Sequence, residues 1–159
     1  MRQISCEEIT ALVEKLCIQA ATVLPDDLCR VIEQAEKKEE SPVGKGILQD
    51  IVTNFQMARE KGVPICQDTG MAVVFLEIGQ EVHITGGSLN DAIHLGVHNG
   101  YLNGFLRCSV VGDPLRRQNT GDNTPAVIHT TIVPGDGFHI TVAPKGFGSE
   151  NMSAMRMFT

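Results

Sequence analysis

The hydrophobic spacing of this chain changes near residue 62, and that change constrains the fold more than any other feature. Before it, apolar residues recur every three or four positions, whereas after it short apolar runs alternate with segments rich in Gly, Asn, Asp, Thr and Pro. A length of 159 residues suffices for one domain with a core and argues against two. We predict an α+β fold, with N-terminal helices over about 1–62, then a small, mostly antiparallel sheet with flanking helices over about 63–159.

Capping residues set the predicted bounds of the helices. Ser5 followed by Glu8 fits a capping box at the start of the first helix. Pro25 suits the first turn of the second helix, and Gly62 suits the C-terminal cap of the third. Ser88 can cap a fourth helix. The predicted helices cover about 6–22, 25–40, 42–60 and 89–103.

Short apolar runs predict the strands. Residues 71–78, MAVVFLEI, predict a strand, and Glu81–Thr85 predicts another. The sequence AVIHTTIV, then PGDG, then FHITVA predicts a β-hairpin with a turn-forming centre. Residues 107–125 are dense in turn formers and predict a long ordered loop, which usually has a functional role. The last residues, MSAMRMFT, predict the beginning of a helix with a bare apolar face, so we expect a chain that is truncated at Thr159.

Charge and cysteine content restrict the classes of partner. The net charge is −6 with no basic run, which argues against nucleic acid and anionic membranes, although a small anionic substrate needs only a few local cations. No apolar run approaches the roughly 20 residues that span a bilayer, and the polar N-terminus is no signal peptide. The five cysteines are odd in number and lack a disulfide framework. Reduced thiols in a cytoplasmic protein are therefore expected.

Four reactive or polar residues stand in a row immediately before the first predicted strand. Cys66 is a small buried hydrophobe, a nucleophile, or a ligand to a soft metal or iron–sulfur centre. Asp68 and Thr69 satisfy local backbone groups in a turn, or Asp68 is a general acid or base. Together with Gln67, these groups need hydrogen-bond partners if they are buried. Spacing alone does not choose between these hypotheses.

Two further segments carry candidate anion-binding groups. Arg107 stands between apolar stretches and is either a surface residue with a buried stem or an anion clamp. Arg116 and Arg117 lie in the turn-rich loop and are predicted to be exposed, although any of the three arginines could bind a carboxylate. The segment KGFGSEN, residues 145–151, is either a flexible connector with an N-cap at Ser149 or Asn151, or a loop whose glycines let backbone approach a ligand.

The histidines offer a weaker metal signal. His94 and His98 are four apart on a predicted helix, a spacing that can bind zinc. No Glu stands in the HExxH position and no third ligand is evident, so we predict structural histidines.

Taken together, four segments resemble class I, iron–sulfur-dependent fumarate hydratase. More specifically, the chain resembles the alpha subunit of the two-subunit form, or the closely similar alpha subunit of L(+)-tartrate dehydratase. It runs through the whole chain, and its motifs are long and specific. The segments are VPICQDTGMAVVFLEIG, GYLNGFLRCSVVGDPL, NTGDNTPAVIH and ITVAPKGFGSENMS.

The resemblance implies a role for each polar segment. Cys66 would be one of three thiolate ligands to a [4Fe–4S] cluster whose fourth iron stays open for substrate. Asp68 would be catalytic, in proton handling or in orienting the leaving water, and Arg107 would hold a substrate carboxylate. The implied substrate-binding set is Gln67, Asp68, Arg107, Gly146 and Gly148.

The implied reaction is the reversible hydration of fumarate to L-malate by a hydro-lyase. Dehydration of L(+)-tartrate by an alpha subunit of the same family is one alternative. A non-catalytic binding or assembly module that kept the pocket and lost the cluster is another.

The sequence departs from the family pattern in one large respect. The family's other two cluster cysteines lie downstream of the GSEN motif, so the resemblance places both of these ligands beyond Thr159, the last residue of this sequence. The catalytic base and further arginines of the beta subunit or C-terminal domain are also absent. One cysteine cannot hold a cluster that needs three thiolates. We therefore expect this chain alone to be inactive and without a cluster, and to need that partner in an oligomeric enzyme.

Overall fold

The structure, a computed structural model, describes residues 2–148 and 153–158. The α+β class is confirmed, and the predicted helices and strands follow in the predicted order, but a short strand over Arg2–Ser5 was not predicted. The helices are α1 (Cys6–Thr22), α2 (Asp26–Lys38), α3 (Pro42–Lys61) and α4 (Leu89–Asn103). The strands are β1 (Arg2–Ser5), β2 (Met71–Gly79), β3 (Val82–Thr85), β4 (Val127–Val133) and β5 (Phe138–Lys145).

Local side-chain and backbone chemistry determines the helix ends. The Glu8 amide donates to the Ser5 hydroxyl at 3.2 Å and the Ser5 amide donates to the Glu8 carboxylate at 2.9 Å, so the predicted capping box is present. Gly62 ends α3 in the left-handed region with φ 63°. Ser88 caps α4 by accepting from the Asp91 amide at 3.4 Å.

The five strands form two small sheets, one parallel and one mixed. β1 pairs with β3 in parallel, and β2 lies between β4, to which it is parallel, and β5, to which it is antiparallel. The three-stranded sheet is therefore mixed, and the predicted mostly antiparallel sheet is wrong in this respect. β2 buries alternate apolar side chains on the core face, and its central position gives both of its edges a hydrogen-bonding partner.

The predicted hairpin is wrong because β4 and β5 do not pair with each other. The connection between them crosses the end of β2, where the Gly79 amide donates to the Gly137 carbonyl at 2.7 Å. The Gln80 amide donates to the Val133 carbonyl at 2.9 Å. A Cβ at Gly79 would overlap the Gly135 carbonyl, so only glycine permits this crossing.

The core lies between β2 and the pair α1 and α4. Two glycines of α4 let its backbone approach α1 closely: a Cβ at Gly96 would lie 2.7 Å from the Thr10 carbonyl oxygen, and one at Gly100 would lie 2.7 Å from the Cys17 Cβ. The larger fully buried core residues are Ile9, Val13, Val74, Leu76, Ile93, Val97 and Tyr101.

The hairpin of α2 and α3 packs less completely. α3 buries Phe55 and Ala58, whereas Val31, Val43 and Ile47 leave more than half of their surface exposed, at 62%, 73% and 56%. No helix in the ranges 2–148 and 153–158 is both long and apolar enough to cross a membrane.

The helix predicted at the end of the sequence is not formed by residues 153–158. They have no regular secondary structure, and Met155 and Phe158 are exposed. With nothing to pack against, an apolar face adds no stability to a short helix. Four residues named in the predictions for this end of the chain lie outside the described residues: Ser149, Asn151, Met152 and Thr159. The structure therefore leaves the predicted truncation at Thr159 untested.

Candidate active site at the entrance to strand β2

The carboxylate of Asp68 is held by backbone amides from two distant segments. One oxygen accepts from the Gly70 amide at 3.1 Å, and the other accepts from the amides of Phe147 at 3.0 Å and Gly148 at 3.3 Å. Hydrogen bonds to a carboxylate are among the stronger ones in proteins. The CQDTG motif and the beginning of the KGFGSEN motif therefore meet here, with the Asp68 side chain in a fixed orientation.

Glycines allow these two segments to approach so closely. Gly70 has φ 63°, and a Cβ there would overlap the carbonyl of Lys145 at the end of β5. A Cβ at Gly146 would come within 3.2 Å of the Asp68 carboxylate. Gly146 and Gly148 thus have their backbone next to the Asp68 carboxylate, and their predicted contact with substrate stays a prediction.

Thr69 joins the segment that precedes β2 to Arg107. Its hydroxyl donates to the Arg107 carbonyl at 3.1 Å and accepts from the Arg107 amide at 3.0 Å, and its side chain is buried. The buried Tyr101 hydroxyl donates to the Thr69 carbonyl at 3.0 Å, and burial raises the pKa of this phenol. The backbone of Arg107 is thereby fixed while its side chain remains exposed.

Sequence reasoning missed Asn123, which is fully buried beneath the site. Its amide group donates to the Gly70 carbonyl at 2.9 Å, and its oxygen accepts from the amides of Ser109 at 2.7 Å and Val110 at 3.0 Å. Asn123 stands in the left-handed region with φ 63°. The only local signal was an asparagine in a turn-rich stretch, and asparagines are common in loops whether or not they are buried beneath a site.

Asp68 lines two adjacent cavities. A cleft of about 700 Å³ contains Asp68, Arg107, Arg117, Phe147 and Gly148. A smaller pocket of about 120 Å³ contains Cys66 and, again, Asp68. Asp68 is therefore the residue shared by the pocket that Cys66 lines and the cleft that the two arginines line.

Gln67 lies beside the thiol and away from the arginines. The Cys66 thiol donates to the Gln67 amide oxygen at 3.3 Å, and both side chains are exposed. Gln67 is not among the residues lining the cleft. The structure thus brings Asp68, Arg107 and Gly148 together and leaves Gln67 on the thiol side.

The cysteines supply one exposed thiol for a metal centre. Cys66 is exposed, whereas Cys6, Cys17 and Cys29 are buried, and burial raises the pKa of Cys17 to about 12. Burial, with the charge of Asp122 as a smaller cause, also raises the pKa of the partly buried Cys108.

Cys66 alone fits a cluster ligand in this chain. In the described part of the chain no three His, Cys, Asp or Glu side chains are grouped to hold a metal ion. One thiolate does not make up the set of three that a cluster with an open iron needs. The two ligands predicted beyond Thr159 therefore stay a prediction, since the sequence contains no residue past that position.

Two histidines make hydrogen bonds with neighbouring residues, and their structural role stays a prediction. The His94 ring accepts from the Ala126 amide at 3.2 Å, and the His98 ring lies 3.1 Å from the Asp122 carboxylate. Burial alone would raise the pKa of Asp122, but hydrogen bonds from the Thr124 amide, from His98 and from the Thr124 hydroxyl lower it to about 2.

Comparison with known proteins gives a consistent family. Residues 10–159 match the sequence pattern of the family described as fumarate hydratase (Fumerase). A Methanocaldococcus jannaschii protein provisionally named L(+)-tartrate dehydratase subunit alpha is 38% identical over 94% of this chain and 54% of its own length. The anaerobic class I fumarate hydratase of Escherichia coli K12 is 32% identical over 91% of this chain and 27% of its own.

A third relative is named without qualification as an alpha subunit. The L(+)-tartrate dehydratase subunit alpha of Escherichia coli O157:H7 is 27% identical over 92% of this chain and 49% of its own length. The chain thus spans about half the length of the alpha subunits and about a quarter of the class I fumarate hydratase that it matches.

Proposed function

This chain belongs to the fumarate hydratase family of hydro-lyases, and from that premise we propose that it forms part of an enzyme that reversibly hydrates fumarate to L-malate. The observation that carries the proposal is the position of Asp68. Asp68 lines both the small pocket that contains the exposed Cys66 and the cleft that contains Arg107. Metal ligand, proton-transferring group and carboxylate-binding group are then neighbours, as this reaction requires.

The bonds that break and form in the dehydration direction define what these residues must do. A proton leaves one carbon, hydroxide leaves the next, and the electron pair of the C–H bond becomes the double bond. The chemistry that a bound [4Fe–4S] cluster supplies in such a site is Lewis-acid binding of the substrate hydroxyl and an adjacent carboxylate. Cys66 would be the single ligand to it from this chain.

The remaining roles belong to residues of the cleft. Arg107 binds a substrate carboxylate through its planar guanidinium, whose donors match the two carboxylate oxygens. Asp68, held by three backbone amides, exchanges a proton with the departing or arriving water. The exposed amide of Gln67, which accepts from the Cys66 thiol, would contact substrate beside that thiol. The backbone of Gly146 and Gly148 closes the site around Asp68.

A second substrate is favoured by a specific observation. The relatives at 38% and 27% identity are named tartrate dehydratase alpha subunits. L(+)-tartrate carries one more hydroxyl than malate and would lose water by the same chemistry. A non-catalytic binding or assembly role is the competing hypothesis of a different class.

The complete enzyme needs groups that this chain does not supply. We propose a beta subunit or a further domain as the source of the catalytic base, with two more thiolates from sequence beyond Thr159, in an oligomeric and cytoplasmic enzyme. The free state of all five thiols supports a reducing compartment.

The test is a comparison of Cys66→Ser with Cys108→Ser in the complete enzyme, reconstituted anaerobically with iron and sulfide. We expect the Cys66 variant to lose the visible iron–sulfur absorbance and the dehydration of both L-malate and L-tartrate, because a serine oxygen is a poor substitute for the thiolate. The Cys108 variant, changed at the other thiol near the site, should retain the cluster and measurable turnover.

The alternatives correspond to different results. A faster reaction with L-tartrate than with L-malate would keep the chemistry and change the substrate. Cluster absorbance and turnover that survive in Cys66→Ser would contradict the assignment of this thiol. The 159-residue chain alone, treated in the same way, should form no stable cluster and show no turnover.

A further inference from the structure

The turn-rich loop that follows Arg107 is ordered by its own hydrogen bonds. The Gly112 amide donates to the Gln118 carbonyl at 2.9 Å, and the Thr120 amide donates to the Val110 carbonyl at 3.0 Å. The Asn119 side chain donates to the Cys108 carbonyl at 2.9 Å. The backbone of this loop is therefore ordered and can hold a side chain in a defined place. Its residues are nevertheless largely exposed to solvent.

Adjacent arginines of this loop lie in different cavities. Arg117 lines the 700 Å³ cleft together with Arg107 and Asp68. Arg116 lines a separate cavity with Asp113 and Asp122. The change of direction occurs at Arg117, whose φ of 52° is uncommon for a residue with a side chain. Its amide donates to the Asp113 carbonyl at 2.8 Å, which fixes this geometry.

The charges in the cleft favour an anion with two negative groups. Its charged lining residues are Arg107, Arg117 and Asp68. Both oxygens of Asp68 are already engaged by backbone amides. Within residues 2–148 and 153–158 the guanidinium groups of Arg107 and Arg117 have no salt-bridge partner, unlike Arg59, which pairs with Asp26 at 2.8 Å. In a chain of net charge −6, two arginines in one cleft with no ion-pair partner among the described residues form a local positive site.

We propose that Arg117 is a second carboxylate-binding residue and that, with Arg107, it gives this chain its own two-point site for small dicarboxylates. The inference rests on the proposed function only for the role of Arg107. Each guanidinium offers paired donors to one carboxylate. A dicarboxylate engages both arginines, whereas a monocarboxylate of equal length engages one, so Arg117 selects for the second charge.

The test uses the 159-residue chain and two unreactive four-carbon acids, succinate and butyrate. Binding is followed by NMR chemical-shift changes at constant ionic strength for the wild type, Arg117→Gln and Arg116→Gln. We expect the wild type to bind succinate about tenfold more tightly than butyrate, a difference that one added charge-assisted contact can supply. Arg117→Gln should abolish this preference and leave butyrate binding unchanged, while Arg116→Gln should behave as the wild type.

Each contrary outcome is distinct. Equal Kd values for the two acids in the wild type, or a preference retained in Arg117→Gln, would overturn the proposal. An equal loss in Arg116→Gln would show a general charge effect and would also overturn it. Because the experiment needs neither cluster nor turnover, an active hydratase without the succinate preference would refute this inference alone. A succinate site in an enzyme without hydratase activity would refute only the proposed function.

Discussion

Thr69 shows how one side chain can hold a site together. Its hydroxyl bonds both the amide and the carbonyl of Arg107, and its own carbonyl accepts from Tyr101. It therefore links the segment before β2 to the end of α4 and to the arginine that follows. Small polar residues of this kind satisfy backbone groups that would otherwise be buried without partners.

Thr69→Val should destabilise the fold more than its small change in shape suggests. Valine keeps the volume but leaves the Arg107 amide and carbonyl without their partner, so we expect a loss of about 1–3 kcal/mol in the free energy of unfolding, measured in urea. Thr53→Val is the matched control, because the Thr53 hydroxyl donates to the Gln49 carbonyl on the exposed surface of α3. That change should stay within about 0.5 kcal/mol, and equal losses would contradict the role assigned to Thr69.

Asp122 makes the stability of the fold depend on pH in the acidic range. Its pKa falls from an ordinary 3.8 to about 2 in the folded state, so folding favours the ionised carboxylate. The stabilisation is present above about pH 4 and is lost as the pH falls from about 4 towards 2. In Asp122→Asn, the free energy of unfolding should decline less steeply over this interval, as measured by urea denaturation at several pH values. Parallel pH profiles for the two proteins would contradict the assignment.

At the scale of elements, the contact between α1 and α4 sets the thickness of the core. Gly96 and Gly100 lie against α1 with no room for a side chain. The two helices are therefore closer than larger residues would allow, and both can cover β2. Interiors packed to this density tolerate added atoms poorly.

A single methyl group at Gly100 should be costly. Gly100→Ala would place a Cβ 2.7 Å from the Cys17 Cβ and 3.0 Å from the Glu14 carbonyl oxygen, and we expect a loss of about 1–3 kcal/mol in the free energy of unfolding. Gly46→Ala on α3 meets nothing within 4 Å and should stabilise by up to about 1 kcal/mol, because alanine is the better helix former. Thermal unfolding followed by circular dichroism separates the two, and similar shifts in Tm would be unexpected.

The helices were predictable from sequence because their determinants are local. Ser5, Glu8, Gly62 and Ser88 cap their helices through residues at most a few positions away. Strand order depends on contacts across the whole chain, and PGDG has the composition of a tight turn whether or not its strands pair. The sequence therefore predicted where four of the five strands lie, missed β1, and did not predict which strands are neighbours.

The site was predictable in part, because some of its determinants are local in sequence and others are not. The polar segments at 66–70, at Arg107 and at 145–148 were evident in the sequence, and their roles followed from a family resemblance. Their meeting at Asp68 depends on the end of β5 lying against Gly70, which no spacing encodes. Asn123 was missed because its contacts to Gly70, Ser109 and Val110 are distant in sequence.

For the whole molecule, the central position of β2 has a consequence for the route of folding. β4 and β5 cannot zip together as a local hairpin, because each must find the same strand, which lies far earlier in the chain. Closing such long loops costs entropy before any pairing can compensate, and folds of this kind form slowly compared with local hairpins. We therefore expect the three-stranded sheet, and with it the cleft around Asp68, to assemble late in folding.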